Sequence, residues 1–145
     1  MEPIRIKFLN ENAKMPTYGS DEAAGADLYA CINETVTILP GESAWIPTGI
    51  AMELPIGYVG LIFARSSMGV KRGLAPANKV GVIDSDYRGE IRVVLYNHSK
   101  EPQTIDPNER IAQIAVMPVI TPGFILAEEL NDTRRAEGGF GSTGK

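Results

Sequence analysis

Residues 64–69, Ala-Arg-Ser-Ser-Met-Gly, have the composition of a phosphate-binding turn. They lie where a predicted strand ends and a short predicted helix begins, and a helix N-terminus presents unpaired N–H groups and a positive dipole end. Ser66 and Ser67 add hydroxyl donors, and the Arg65 guanidinium can bind an oxyanion through two parallel hydrogen bonds. The alternative is an ordinary helix start, capped by Ser66 or Ser67, beside a surface arginine.

Residues 81–90 form a second candidate segment. An apolar run leads directly into Asp84, the turn residues Ser85 and Asp86 follow, and after Tyr87 and Gly89 the apolar alternation resumes. This pattern predicts a β-hairpin whose tip carries two carboxylates and a tyrosine. The alternative is a surface turn, because Asp, Ser and Gly favour turns for purely local reasons.

Asp27 and Gln113 are polar residues within apolar strand patterns. Each either faces outward or has a specific hydrogen-bond partner. In the second case, Asp27 would orient an arginine or the water shell of a metal ion.

The last residues, 131–145, are polar and glycine-rich, and Phe140 is their only large apolar side chain. Such a segment cannot pack a core, so we predict a single domain over residues 1–130 followed by a mobile tail. Flexible glycines that expose N–H groups, together with Arg135 and nearby hydroxyls, can also fold around an anion. A solvated tail without a function is the alternative.

Composition excludes several classes of function. The chain has 145 residues, a formal net charge of −4 and no basic cluster, so a nucleic-acid polymer is not an expected partner. One cysteine, Cys31, and one histidine, His98, exclude a Cys/His zinc site within one chain, whereas Mg²⁺ held by phosphates and water needs few protein ligands. Without a membrane-spanning apolar run or a signal-peptide pattern, we expect a cytoplasmic protein with no membrane partner.

The elements that must position these residues are short strands separated by Gly/Pro turns, which predict an all-β sandwich or jelly roll. The predicted strands cover residues 4–8, 26–31, 35–39, 43–54, 58–64, 90–96, 110–117 and 124–130. One short helix is predicted from Ser67 to Arg72, ending at Gly73.

Five ordered segments, residues 24–30, 64–69, 78–89, 109–114 and 135–144, resemble the motifs of the homotrimeric dUTPases. The resemblance covers nearly the whole chain. It implies a β jelly roll, a homotrimer with active sites shared between subunits, and hydrolysis of dUTP to dUMP and pyrophosphate with Mg²⁺. In this role the enzyme keeps uracil out of DNA and supplies dUMP for dTMP synthesis.

The resemblance also implies roles for individual residues. Asp84 matches the general base that activates water toward the α-phosphorus, and Tyr87 matches the residue against the deoxyribose. Uracil would be read mainly by backbone groups of Asn78, Gly81, Val82 and Ile83. Phosphates would be bound by Arg65, Ser66, Ser67 and Gln113, although many members have glycine in place of Ser67. Asp27 matches an acid that supports the Mg²⁺ site through water, and the closing tail matches Arg135, Phe140, Gly141, Ser142 and Thr143, with Phe140 stacked on uracil.

Two other functions remain compatible with the residues. A dCTP deaminase of the same fold would release ammonia, although members of that group generally carry a different third motif and lack the Gly-Phe-Gly-Ser-Thr tail. A trimeric module that binds dUTP and acts on a regulatory partner would not require turnover.

Overall fold

The computed structural model describes residues 3–140, and their regular structure is almost entirely β. The strands are β1 Arg5–Phe8, β2 Thr17–Tyr18, β3 Ala26–Tyr29, β4 Val36–Ile38, β5 Ser43–Pro47, β6 Ile50–Glu53, β7 Tyr58–Phe63, β8 Leu74–Pro76, β9 Gly81–Ile83, β10 Arg92–Asn97, β11 Gln103–Ile105 and β12 Arg110–Pro118. Within this part of the chain, a single π-helical turn, Ser67–Lys71, is the only helix.

The strands form four antiparallel sheets around one core. The largest has the order β2-β3-β12-β7-β9, a second has the order β5-β10-β8, and β1-β6 and β4-β11 form two pairs. All four sheets contribute to a single cluster of buried side chains that includes Leu28, Ile38, Ile46, Ile50, Ile105 and Ile114. The all-β jelly-roll fold is therefore confirmed.

Residues 81–97 do not form the predicted hairpin, and that prediction is wrong. β9 pairs with β7 in the large sheet, whereas β10 pairs with β5 and β8 in the three-stranded sheet. The segment from Asp84 to Ile91 therefore crosses from one sheet to the other. Alternating apolar residues indicate that two strands exist, but they do not indicate which strands pair.

The helix starts at Ser67 as predicted, but it is a π-helical turn and Ser66 does not cap it. Ser66 precedes the turn without a side-chain capping hydrogen bond, and the Ser67 hydroxyl instead accepts a hydrogen bond from Arg65 Nη1 at 3.2 Å. The turn ends at Lys71, one residue before the predicted end, and Arg72 is its C-cap residue, followed by Gly73. Gly73 has a φ of 67°, and a Cβ there would lie 2.7 Å from Ser99 Cβ, so glycine suits this end as expected.

The predicted strand at residues 124–130 is wrong. This segment has no strand pairing among the described residues, and the side chains of Phe124, Ile125, Leu126 and Leu130 are almost fully exposed. An apolar run of this composition favours a strand only where a neighbouring strand is available. Conversely, β2, β8 and β11 were not predicted, because two or three residues are too few to show a period.

Candidate active site

Asp84 and Tyr87 line an open cavity of about 440 Å³, here called the Asp84 pocket. Its walls come from β9, from the loop that follows it and from the facing strands β5 and β10. The lining residues are Trp45, Val82, Ile83, Asp84, Tyr87, Glu90 and Arg92. Asp84 is exposed to this cavity, so its carboxylate can reach a bound ligand or water.

Tyr87 is held in the pocket by the chain that follows it. Its hydroxyl donates a hydrogen bond to the Glu90 carbonyl at 3.0 Å. A Cβ at Gly89 would lie 2.4 Å from the Tyr87 oxygen and 2.6 Å from the ring carbon that bears it, so the ring lies directly against the bare glycine backbone. Arg88 braces the same loop by donating to the carbonyls of Ser85 at 2.7 Å and of Tyr87 at 3.0 Å.

Asn78 and Gly81 lie beside this pocket rather than within its lining. Both line a smaller cavity of about 110 Å³ that shares Val82, Ile83 and Arg92 with the Asp84 pocket. Asn78 is in the turn between β8 and β9, where Lys79 has a φ of 69° and the Val80 N–H donates to the Asn78 carbonyl at 2.8 Å. The two strands flanking this turn pair with different neighbours, so this turn is not a hairpin in the hydrogen-bonded sense.

A second group of polar side chains, the Asp27 cluster, consists of Asp27, Arg65, Ser67, Arg110 and Gln113. Asp27 is only 8% exposed, and its two oxygens accept hydrogen bonds from Arg65 Nε at 2.7 Å and Arg110 Nη1 at 3.3 Å. Arg65 also reaches Ser67, as noted above. A carboxylate this deeply buried requires such partners, and two arginines leave the cluster with an excess positive charge.

Gln113 joins the Asp27 cluster through the sheet. It pairs in register with Asp27 on β3 and with Phe63 on β7, and its amide donates to the Ala64 carbonyl at 3.0 Å. A Cβ at Gly25 would lie 2.6 Å from Gln113 Oε1, so this glycine leaves room for the amide. The cluster therefore presents an amide, a hydroxyl and arginine N–H groups at one edge of the sheet, which suits binding of an anion.

Within one chain, the structure does not bring the Asp84 pocket and the Asp27 cluster together. Ile83 is opposite Gly60 on β7, whereas Asp27 and Gln113 are level with Phe63. Asp84 is thus about four residues, roughly 13 Å, from that level along the strands, and Asp27 is three strands, roughly 14 Å, from β9 across the sheet. The two groups are on the order of 20 Å apart.

Residues 131–140 of the tail contribute neither a lining residue to the Asp84 pocket nor a hydrogen bond to the Asp27 cluster. Arg135 Nε donates to the Gly138 carbonyl at 2.8 Å, a contact within the tail itself, and Phe140 is fully exposed. Ser66, the remaining phosphate candidate, is exposed at the start of the π-helical turn. Gly141, Ser142 and Thr143 lie outside the described residues.

Four residues at these two groups were not singled out from the sequence: Trp45, Glu90, Arg92 and Arg110. Trp45 is remote in sequence from Asp84, and only the sheet pairing of β5 with β10 brings it to the pocket. Arg110 reaches Asp27 because β12 pairs with β3 with an irregular register at Arg110 and Ala112. No local pattern signals either contact.

Cys31 lies beside the Thr48–Gly49 turn, since a Cβ on Gly49 would lie 2.8 Å from its sulfur. Burial raises the pKa of the Cys31 thiol, and the negative charge of Glu90 raises it further. The thiol therefore stays protonated near neutral pH and is a packing residue rather than a nucleophile.

Residues 3–140 contain no group of three or more His, Cys, Asp or Glu side chains arranged to hold a metal ion. No helix in the same residues is long and apolar enough to cross a membrane.

Comparisons with known proteins all indicate one family. The dUTPase family model matches residues 11–144. A deoxyuridine 5'-triphosphate nucleotidohydrolase of Nautilia profundicola is 50% identical over 142 residues, covering 98% of this chain and 99% of the relative. A protein with the same name from Desulfitobacterium hafniense is 48% identical over 149 residues, with 99% of each chain covered.

The solved structures that resemble this chain are also dUTPases. A variant of the Staphylococcus bacteriophage 80alpha dUTPase with dUpNHpp superposes with a TM-score of 0.90 at 29% identity, covering 100% of both chains. A variant of the dUTPase from phage phi11 of S. aureus, described with a structural Mg(II) ion, superposes with a TM-score of 0.79 at 28% identity, covering 88% of this chain and 98% of that one. Taken with the Asp84 pocket and the Asp27 cluster, these matches identify the chain as a member of the dUTPase family.

Proposed function

We propose that this chain hydrolyses dUTP to dUMP and pyrophosphate, in a homotrimer whose active sites combine groups from different subunits. The main support for a shared active site is the separation of the Asp84 pocket from the Asp27 cluster. The pocket supplies the carboxylate base and the nucleoside contacts, and the cluster supplies donors for the phosphates. Within one chain the two are on the order of 20 Å apart, which is too far for one substrate to contact both. A symmetric oligomer can bring the pocket of one copy to the cluster of the next.

Asp84 acts as the general base in this proposal. Its exposed carboxylate faces the pocket, where it can accept a proton from a water molecule that attacks the α-phosphorus. The attack forms the new P–O bond as the bond to the bridging oxygen breaks, and pyrophosphate leaves.

The nucleoside half of the substrate occupies the region between the two cavities. Backbone groups from Asn78 to Ile83 read uracil, and the small lateral cavity leaves little room for the 5-methyl group of thymine. Tyr87 lies against the deoxyribose, where its fixed ring leaves no room for the 2′-hydroxyl group of a ribose.

The phosphates are bound by the Asp27 cluster of a neighbouring subunit. Arg65 has N–H groups beyond those that contact Asp27 and Ser67, and Ser66, Ser67 and Gln113 add donors at the same edge. Asp27 holds both arginines in place, which orients the guanidinium groups toward an anion.

Mg²⁺ fits this arrangement as an ion held mainly by substrate and water. Both oxygens of Asp27 already accept hydrogen bonds from arginines, so this carboxylate would support the ion only through water or through Arg65. When bound, Mg²⁺ would neutralise charge on the phosphates.

Residues 131–145 form the lid of this site, and residues 1–130 form the domain. Arg135 and Ser142 would close on the γ-phosphate and Phe140 would stack on uracil, which would exclude water from the reaction. In a cytoplasmic setting the reaction keeps uracil out of DNA and yields dUMP for dTMP synthesis.

A nucleotide panel tests this function. The purified protein with Mg²⁺ is incubated with dUTP, dCTP, dTTP and UTP, and both pyrophosphate and ammonia are measured. We expect dUTP to release pyrophosphate far faster than the other three nucleotides. Ammonia from dCTP would indicate a deaminase, and dUTP binding without turnover would indicate a binding module.

The same pyrophosphate assay tests whether Asp84 is the general base. Asp84→Asn removes the proton acceptor but keeps nearly the same shape, so turnover should fall by about a hundred- to ten-thousandfold while the nucleotide still binds. Titration calorimetry with a non-hydrolysable dUTP analogue measures the binding. Turnover close to that of the wild type would contradict the role of Asp84.

A further inference from the structure

Glu90 closes the loop that carries Asp84 and Tyr87, and it connects three parts of the fold. Its backbone carbonyl accepts the hydrogen bond from the Tyr87 hydroxyl at 3.0 Å. Its carboxylate accepts a hydrogen bond from the Gly49 N–H at 3.1 Å through one oxygen and from Arg92 Nε at 2.8 Å through the other. Its side chain is only 19% exposed.

The partner of this carboxylate is a rigid part of the molecule. Gly49 has a φ of 69° and packs so closely on Cys31 that it has no room for a side chain, and its carbonyl accepts from the Leu9 N–H at 2.8 Å. The preceding Thr48 is buried, and its hydroxyl donates to the Ile91 carbonyl at 2.6 Å. The Thr48–Gly49 turn is thus a fixed anchor beside the end of an exposed loop.

We propose that Glu90 positions Tyr87 in the Asp84 pocket and thereby sets the preference for a deoxyribose over a ribose. This inference rests on the proposed function, in which Tyr87 lies against the sugar. Glu90 does not touch the substrate in this proposal and acts as a positioning residue.

The contacts explain how the effect is transmitted. The carboxylate fixes residue 90 to the Gly49 turn, and the carbonyl of the same residue fixes the Tyr87 hydroxyl. The bare backbone of Gly89 leaves room for the hydroxyl end of the ring. Without the carboxylate, the N–H of the buried Gly49 loses its acceptor and Arg92 is free to turn into the pocket that it lines. The Tyr87 ring then follows the loosened backbone.

The test compares kcat/KM for dUTP and for UTP in the wild type, Glu90→Ala and Glu90→Gln. We expect the dUTP-to-UTP ratio to fall by about tenfold in Glu90→Ala, since hydrogen bonds to a charged group are lost. The ratio should fall less in Glu90→Gln, because the amide oxygen can still accept a hydrogen bond from the Gly49 N–H. Partial unfolding lowers both rates equally and cancels in the ratio.

Glu42 offers a matched control. It is an exposed glutamate just before β5 and away from the Asp84 pocket lining, so Glu42→Ala and Glu42→Gln make the same chemical changes without touching Tyr87. Both should keep the wild-type ratio.

A double-mutant cycle with Tyr87→Phe tests whether Glu90 acts through the tyrosine. In the Tyr87→Phe background, where the hydroxyl contact is absent, Glu90→Ala should change the ratio much less. An equal change in both backgrounds, or an unchanged ratio in Glu90→Ala alone, would overturn the role of Glu90. A wild type with no preference for dUTP over UTP would overturn the proposed function and this role together.

Discussion

Gly89 shows how one missing side chain can shape the Asp84 pocket. The Tyr87 ring occupies the space that a Cβ at residue 89 would need, and no rotation of the alanine methyl would relieve a 2.4 Å contact with the tyrosine oxygen. The glycine is therefore required for the ring position rather than for a left-handed backbone, since its φ is not among the positive values.

Gly89→Ala should consequently displace Tyr87 and leave the fold intact. We expect kcat/KM for dUTP to fall by about ten- to a hundredfold, because misplacing a positioning group by an ångström is sufficient for such a loss. Thermal unfolding should change little, since the loop is exposed.

Gly19→Ala is the control for that substitution. It makes the same change at an exposed glycine whose added Cβ would meet nothing within 4 Å, so its activity should equal that of the wild type. Similar kinetics for the two variants would contradict the proposed packing of Tyr87.

Residue types indicated much of the site, but not the contacts among them. Asp27 was recognised as either outward-facing or paired with a cation, and the structure supports the second reading. Its second partner, Arg110, could not be inferred, because that contact depends on the register between β3 and β12. The same holds for Trp45, which reaches the pocket only through the pairing of β5 with β10.

At the scale of elements, the loop from Asp84 to Ile91 matters because it crosses between two sheets. The sequence pattern located both flanking strands but implied that they pair with each other, which is wrong. Local apolar alternation reports which face of a strand is buried, whereas the choice of partner strand is decided by the whole core. The loop is therefore held at one end by the large sheet and at the other by the three-stranded sheet.

The tail differs from this loop because its described residues are not hydrogen-bonded to either sheet. Between residues 131 and 140, the side-chain and turn hydrogen bonds of the structure stay within the tail, as in the contacts of Thr133 with Ala136 and of Arg135 with Gly138. Residues 131–137 and Phe140 are exposed, and Gly138 and Gly139 are half-exposed. Residues 131–140 therefore contribute little to the stability of the domain.

Deleting residues 131–145 should separate activity from stability. We expect the midpoint of thermal unfolding to stay within a few degrees of the wild type, while kcat/KM for dUTP falls by about a hundredfold or more because the lid is lost. A variant with the same tail composition in a shuffled order controls for length and charge. Full activity of the truncated protein would contradict the lid proposal.

For the whole molecule, the distance between the Asp84 pocket and the Asp27 cluster makes a prediction about subunits. If each active site combines a pocket and a cluster from different copies, two inactive variants can complement each other. Asp84→Asn removes the base from the pocket and leaves the cluster intact. Arg65→Ala removes a phosphate-binding side chain from the cluster and leaves the pocket intact.

Equal amounts of the two variants, unfolded and refolded together, should recover activity that neither shows alone. Random mixing leaves about a quarter of the sites with an intact pocket and an intact cluster, so about a quarter of the wild-type rate is expected. Sedimentation and thermal unfolding of each variant confirm that both assemble. No recovery from well-folded trimers would indicate that each site lies within one subunit.

Trp45 is the chain's only tryptophan, and it stands 70% exposed in the same cavity as Asp84 and Tyr87. Excited at wavelengths that tyrosine hardly absorbs, the protein therefore emits from one indole at one known place, although the chain also has five tyrosines. A nucleotide that enters the cavity will displace water from that ring and change its emission, whereas events far from Trp45 should change this emission much less. Binding and release at each site can thus be timed in a stopped-flow instrument with the unlabelled wild-type protein.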